Sequence, residues 1–228
     1  MTYLKIRDLS FAYQKKPIFS SLNLDVTRGE IFCLVGPNGC GKTTLQHCIL
    51  NLLQPSAGEI LVDGKMLASY SERELAKKMA FVPQSHTPTF PYLTADVVAM
   101  GSLRKRSFFG GSENISRKEA VSILEELGIG HLSEKPYTAL SGGEMQMVMI
   151  ARALCQDSEM LILDEPTSHL DIGRSQDILH TISRINKERK TTIIIATHDF
   201  NQPLFFQDKE NPVRMALMNE GYICDIDS

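Results

Sequence analysis

Gly36-Pro37-Asn38-Gly39-Cys40-Gly41-Lys42-Thr43-Thr44 decides the fold. The stretch fits G-x-x-x-x-G-K-[ST], and its neighbours supply the context that pattern requires. Ile31-Phe32-Cys33-Leu34-Val35 before it reads as a buried strand, and Leu45 to Leu53 after it reads as a helix. The glycines let the backbone curl until successive N–H groups point inward at phosphate oxygens. The start of the helix adds the positive end of its dipole at the same place. Lys42 is then within reach of β- and γ-phosphates, and the Thr43 hydroxyl is a ligand for Mg2+. A glycine turn with an incidental lysine would not come framed by a strand and a helix.

The rest of the composition agrees with a folded α/β chain. Its 228 residues, 43% of them hydrophobic, allow one sizeable core with room for an attached subdomain. The net charge of −3 provides no broad basic field, so no nucleic-acid partner is expected. Met1 to Arg7 lacks the apolar core of a signal peptide, and no apolar run approaches the ~18 residues of a bilayer span. Any membrane role is therefore expected to run through partner chains. Cys33, Cys40, Cys48, Cys155 and Cys224 form no C-x-x-C pair. They read as reduced, cytosolic and mostly packing residues, with no zinc site.

Along the chain, residues 3–13 alternate as a strand, and Ile18 to Val26 follows the Lys15-Lys16-Pro17 turn as its antiparallel partner. Arg28-Gly29-Glu30 turns into the strand before the glycine loop. Residues 59–62 form another strand, Asp63-Gly64 a turn, and Ser71-x-x-Glu74 a capping box that opens a short helix. Met79 to Pro83 is a strand with Gln84 just past its end. Residues 85–92 are loop-like, and two helix patterns follow at about 94–101 and 116–127, separated by a polar, glycine-bearing link. Ser141-Gly142-Gly143-Glu144 opens a helix that runs to Gln156. Met160 to Asp164 is a buried strand, Ile178, Ile182 and Ile185 mark a helix stripe, and Thr192 to Thr197 is a β-branched buried strand. A short strand pair closes the chain at 213–225. The fold expected is an α/β P-loop NTPase core, residues 1–84 and 158–228, with an N-terminal antiparallel β-subdomain. Residues 85–157 are expected to form an inserted helical subdomain. No C-terminal regulatory domain is expected.

Asp164 and Glu165 end a buried strand. Ligands of open parallel sheets sit beyond the strand C-termini, so this strand and the glycine-loop strand aim at one spot. Asp164 then reads as the acid that holds Mg2+ through Thr43 or water, and Glu165 as the base that polarises an attacking water. An acidic turn before Pro166 is the competing reading.

These residues, with Gln84, Leu140-Ser141-Gly142-Gly143-Glu144, Leu161 to Thr167, Ser168-His169-Leu170-Asp171 and His198-Asp199, occur in the order found in the ATP-binding subunits of ABC transporters. The chain resembles that family over nearly its whole length. The stretch at Leu140 separates the family from other P-loop ATPases, kinases included. The resemblance implies ATP and Mg2+ as cofactors, with Gly36, Pro37, Asn38, Gly39, Cys40, Gly41, Lys42, Thr43 and Thr44 around the phosphates. Tyr13 would stack on adenine, unless it is simply a strand-end tyrosine. Gln84 would touch Mg2+ or the water and relay its state to the helical subdomain, unless it is only a polar loop residue. Ser141, Gly142 and Gly143 would meet the γ-phosphate held by a second copy, a role compatible with capping a helix. Asp171 would link the two sites, and His198 would contact the γ-phosphate and orient the water, unless it is a structural histidine; the preceding Ala196-Thr197 fits the family pattern. The implied assembly is a head-to-tail homodimer on the cytoplasmic face of the membrane, bound to permease subunits and indirectly served by a substrate-binding protein.

The sequence also departs from the family pattern. Glu144, Met145 and Met147 stand where Gln and two Arg are frequent, so a basic face is lost. Asn201-Gln202-Pro203 is expected to interrupt the helix after the His198 strand, and residues 207–214 are unusually polar. Val82 to His86, Phe90-Pro91-Tyr92 and Asp96-Val97-Val98-x-Met100-Gly101 are similar to ATPases of iron-siderophore, haem and cobalamin importers. That resemblance implies import of a metal chelate. An exporter ATPase is the alternative, and a non-transport ABC binding module a more distant one.

Overall fold

The computed structural model describes residues 1–84, 90–102, 111–207 and 213–226, with 111–116 and 225–226 described through the backbone alone. Strands β1 (Thr2–Tyr13) and β2 (Lys16–Thr27) pair antiparallel. The hairpin turn is Gln14-Lys15, one residue earlier than expected, because Tyr13 pairs with Lys16 and Pro17 already faces Ala12 within the sheet. Proline is tolerated there since β2 is an edge strand and needs no ladder donor at that position. Strand β3 (Ile31–Val35) leads through the glycine loop into helix α1 (Lys42–Ile49), which starts earlier and ends earlier than the sequence pattern suggests.

Strands β4 (Ala57–Val62) and β5 (Lys65–Met66) complete the first sheet, in the order β2-β1-β4-β5. Helix α2 (Glu72–Lys78) opens with the expected box: the Ser71 hydroxyl accepts from Glu74 N–H at 3.3 Å, and Glu74 Oε2 accepts from Ser71 N–H at 2.8 Å. Strand β6 (Met79–Val82) precedes the helices α3 (Thr94–Ala99), α4 (Gly111–Glu126) and α5 (Gly142–Cys155). Helix α4 begins before position 116 because its first turn, Gly-Ser-Glu-Asn, carries no apolar periodicity to mark it. Residues 85–89 and the link at 103–110 lie outside the described residues.

Strand β7 (Met160–Asp164), helix α6 (Ile172–Arg189), strand β8 (Thr192–Thr197), helix α7 (Gln202–Phe205) and strands β9 (Val213–Asn219) and β10 (Tyr222–Ile226) follow. Asn201-Gln202-Pro203 thus starts a one-turn helix instead of breaking one. Pro203 sits in its first turn, where no N–H is needed. The polar stretch 208–212 lies outside the described residues. The second sheet runs β10-β9-β3-β8-β7-β6, parallel from β9 to β6, with β10 antiparallel at the edge.

Alternation along the central strands builds two cores. Ile31, Cys33, Val35, Leu161, Leu163, Ile193 and Ile195 pack with α3 to α6 on one face. Phe32, Leu34, Met160, Ile162 and Ile194 pack on the other against α1 and the antiparallel sheet. Each large apolar side chain buried this way contributes about 1.5–3 kcal/mol. Arg28 and Lys78 each bond both Asp63 and Glu159, at 2.6–2.8 Å, and so tie the antiparallel sheet to the start of β7. This architecture leaves the C-terminal ends of β3, β6, β7 and β8 on one edge.

Candidate active site

The glycine loop begins where β3 ends, and Gly36 N–H donates to Thr197 O at 3.1 Å. No side chain fits at Gly36: a Cβ would lie 2.2 Å from Met218 O. Gly41 has φ of +112° and forms the N-cap of α1, a conformation that favours glycine. The loop is thus shaped by close approach of β9 and by backbone handedness together. Cys40 is buried, 9% exposed, beside Gly36.

Lys42 is the first residue of α1. Its Nζ donates to Gly36 O at 2.7 Å and to Pro37 O at 3.1 Å, and lies 3.7 Å from Glu165 Oε1. Thr43 donates its hydroxyl to Asp164 Oδ2 at 2.8 Å. Asp164 is 4% exposed, and its Oδ1 is buried with no hydrogen-bond partner among the described residues. Desolvation raises the Asp164 pKa, with the Glu165 charge adding to it. The Thr43 hydrogen bond and the charges of Lys42 and His47 oppose the rise.

Glu165 gathers the remaining motif residues. Its Oε2 accepts from Gln84 Nε2 at 3.2 Å and from His198 Nδ1 at 2.9 Å. The backbone of Glu165 is left-handed, with φ of +45°, and its N–H donates to Ala196 O at 2.8 Å. An ionised carboxylate offers only acceptors, so Nδ1 of His198 carries the proton. Four strand ends therefore deliver Lys42, Gln84, Glu165 and His198 to one place, beside a cleft of about 600 Å³. A second cleft, about 650 Å³ and lined by Arg28, Glu159 and Lys190, lies at the opposite ends of the parallel strands and holds none of the motif residues.

Ser141 caps α5. Its hydroxyl accepts from Glu144 N–H at 3.4 Å and donates to Glu144 Oε2 at 2.7 Å, while that carboxylate also accepts Ser141 N–H at 2.8 Å. These bonds hold the Glu144 carboxyl below the usual carboxylate range. Gly142 and Gly143 border Leu170 and Arg174 at the start of α6. Asp171 caps α6 by accepting from Arg174 N–H at 2.9 Å. Ser141, Gly142, Gly143 and Asp171 thus form a group of their own and make none of the contacts around Glu165. Tyr13, half exposed at the end of β1, stacks edge-on against Phe11 at 4.9 Å. Its strand partner β2 brings Ile18 against Gly41.

Two residues have buried bonding roles that the sequence pattern does not indicate. Gln46, 0% exposed, donates from Nε2 to Leu163 O at 3.0 Å and ties α1 to the end of β7. The signal was a polar residue among the buried Leu45, Cys48 and Ile49. Gln202, 3% exposed, donates to Thr167 Oγ1 at 3.3 Å.

Comparison with known proteins gives this geometry its context. A family profile described as ABC transporter matches residues 19–168. The chain is 36% identical over 206 residues to the iron(3+)-hydroxamate import ATP-binding protein FhuC of Bacillus subtilis, covering 90% of this chain and 77% of that one. It is 31% identical over 207 residues to the molybdate import ATP-binding protein MolC of Haemophilus influenzae, covering 90% and 77%. A solved inward-facing ABC transporter, provisionally assigned to the metal-chelate type, superposes with a TM-score of 0.84 at 30% identity, over 99% of this chain and 83% of its own. The chain belongs to the ABC transporter family, as an ATP-binding subunit of the kind that hydrolyses ATP to drive transport.

Proposed function

We propose that this ATPase powers import of a metal chelate of the iron-siderophore, haem or cobalamin kind. The observation that carries the catalytic reading is the convergence of Lys42, Gln84 and His198 on the Glu165 carboxylate. Lys42 and the loop amides of Gly39 to Thr43 hold the phosphates, and Tyr13 stacks on adenine, which is worth about 1–3 kcal/mol per base. Glu165 accepts a hydrogen bond from a water placed in line with the γ-phosphate. As the water oxygen bonds to phosphorus, the bond to the β-phosphate oxygen breaks and ADP leaves. The water proton passes to Glu165 and then to the released phosphate. His198 keeps Glu165 in position and turns its free ring edge to the γ-phosphate. Gln84, joined to Glu165, relays the state of the site to the helical subdomain that we assign to residues 85–157.

Asp164 fits Mg2+. It is a buried carboxylate with one oxygen on the Thr43 hydroxyl, one oxygen without a partner among the described residues, and a raised pKa. Thr43, Asp164 and Gln84 would hold the ion, directly or through water. Bound there, the ion would neutralise charge on the β- and γ-phosphate oxygens.

Among the described residues, Ser141, Gly142, Gly143 and Asp171 make no hydrogen bond to Lys42, Gln84, Glu165 or His198, which supports a composite site. Two copies sandwich two ATP molecules, each between one copy's P-loop and the other's Ser141 segment, whose helix N-terminus suits an anion. Closure on ATP and reopening after hydrolysis would drive permease subunits at the inner membrane surface. Among the described residues no helix is long and apolar enough to cross a membrane. The exposed Leu52 and Met100 flank a cleft of about 630 Å³ on the side of α3, the surface proposed for the permease.

The cargo reading rests on the resemblance of residues 82–86, 90–92 and 96–101 and on relatives such as FhuC. MolC supports a second reading, an oxyanion cargo. Uptake of radiolabelled ferric hydroxamate, haem, cobalamin and molybdate in cells with and without this chain tests both. Loss of chelate uptake alone is expected. Loss of molybdate uptake alone would replace the chelate reading.

A further inference from the structure

The loop after β7, residues 165–171, is joined at three points to the stretch from the end of β8 into α7, residues 196–202. Glu165 N–H donates to Ala196 O at 2.8 Å, His198 Nδ1 donates to Glu165 Oε2 at 2.9 Å, and Gln202 Nε2 donates to Thr167 Oγ1 at 3.3 Å. The third tie lies farthest from the strands. Each stretch is braced internally. Asp199 N–H donates to Thr197 Oγ1 at 3.1 Å, Asn201 N–H to Asp199 Oδ1 at 2.9 Å, and Gln202 N–H to Asp199 O at 3.3 Å. Across from them, Ser168 N–H donates to Glu165 O at 3.0 Å. These bonds brace residues 197–202 on one side and 165–168 on the other. The Gln202–Thr167 bond joins the two braced stretches in addition to the His198–Glu165 bond.

Two further facts concern the residues of this clamp. Glu165 is a non-glycine residue at φ of +45°, a conformation that persists only when its surroundings hold it. Gln202 is 3% exposed, and its Oε1 has no hydrogen-bond partner among the described residues. Burial of that carbonyl is unfavourable, and the bond from the same amide to Thr167 is what the burial secures.

We infer that Gln202 is a positioning residue for hydrolysis: through Thr167 it holds Glu165 within reach of His198. It touches no reacting atom. The inference rests on the reading of Glu165 as the base.

The test uses the full chain with steady-state ATPase kinetics and nucleotide binding. Gln202→Met and Thr167→Val each remove one end of the bond with little change in volume. Each is expected to lower kcat about three- to tenfold, the loss of one modest hydrogen bond, with KM within about twofold. The double variant is expected to fall no lower than the worse single one, because both break the same bond. Thr167→Ser, which keeps the hydroxyl, is the rescue arm. Glu165→Gln runs alongside: near-normal turnover there sinks the base reading itself. A dead Glu165→Gln with normal kcat in Gln202→Met overturns the positioning inference, as do additive losses in the double variant or a rise in KM alone. If Gln202→Met does not fold, the contrast between Thr167→Val and Thr167→Ser decides: equal kcat in the two overturns the inference.

Discussion

His198 Nδ1 lies 2.9 Å from Glu165 Oε2, a bond between residues that end adjacent parallel strands. The same carboxylate group meets Lys42 and Gln84, so its charge is shared among three neighbours. Glu165→Gln keeps an acceptor oxygen and nearly the same shape but loses the base. Turnover should fall about 10²–10⁴-fold, the usual contribution of a positioned base. ATP binding should persist, and gel filtration with ATP should show a retained nucleotide-bound dimer. Near-normal turnover would reassign the base.

Asp164→Asn should separate stability from activity. The folded pKa of Asp164 is raised, chiefly by desolvation, so the fold disfavours its charged form. A group shifted in this direction destabilises the fold increasingly as pH rises from its unfolded pKa through its folded one, and the penalty is fully present above the folded pKa. Asparagine removes that charge while keeping an acceptor for Thr43. Without nucleotide, the variant should therefore melt higher, by about 2–4 °C for each kcal/mol recovered. Its Mg2+-dependent ATPase should be lost. A lower melting temperature near pH 7 would contradict the desolvation argument.

The order in which these features became legible follows their range along the chain. The P-loop, the Ser71 box and the strands β3, β7 and β8 are local patterns and read correctly from spacing alone. The turn at Gln14-Lys15 was displaced because Pro17 signals a turn locally but is admitted by an edge strand, and edge position is a tertiary fact. The polar first turn of α4 hides its start in the same way. Gln46 and Gln202 act through bonds to Leu163 and Thr167 across the fold, and no neighbour in sequence announces those partners. The left-handed Glu165 is likewise invisible in a residue type that rarely adopts that conformation.

The cysteines should react in an order set by burial. Cys224 is exposed, while Cys33, Cys40, Cys48 and Cys155 are buried, and no disulfide joins any of the five. Burial pushes the Cys33 thiol up to about 12 and the Cys48 thiol up to about 11, which suppresses their thiolates. A maleimide should label Cys224 first, without loss of ATPase. Slower modification of Cys40, inside the phosphate loop, should inhibit, and MgATP should slow it. Peptide mapping with Cys224→Ser and Cys40→Ser variants checks this. Equal inactivation of native chain and Cys40→Ser would place the sensitive thiol elsewhere.

A mixed-lesion experiment tests the composite site. Lys42→Ala removes a phosphate contact supplied from the P-loop, where catalysis rests on positioning and charge. Ser141→Arg places a bulky cation where a facing γ-phosphate is proposed to dock. It also breaks the box with Glu144, at a cost of about 0.5–2 kcal/mol, so retained helicity and melting temperature must be confirmed first. Each homodimer then carries two defective sites and should be nearly inactive. In a mixed dimer both lesions fall in one site. The other site receives an intact Lys42 from one chain and an intact Ser141 from its partner. Mixing the two variants, with permease subunits present to stabilise dimers, should therefore recover ATPase activity. Recovery must stay below the unmodified protein, because only mixed dimers hold an intact site and each holds one. Chains that worked alone would recover nothing. Zero recovery from demonstrated mixed dimers would exclude two independently acting composite sites.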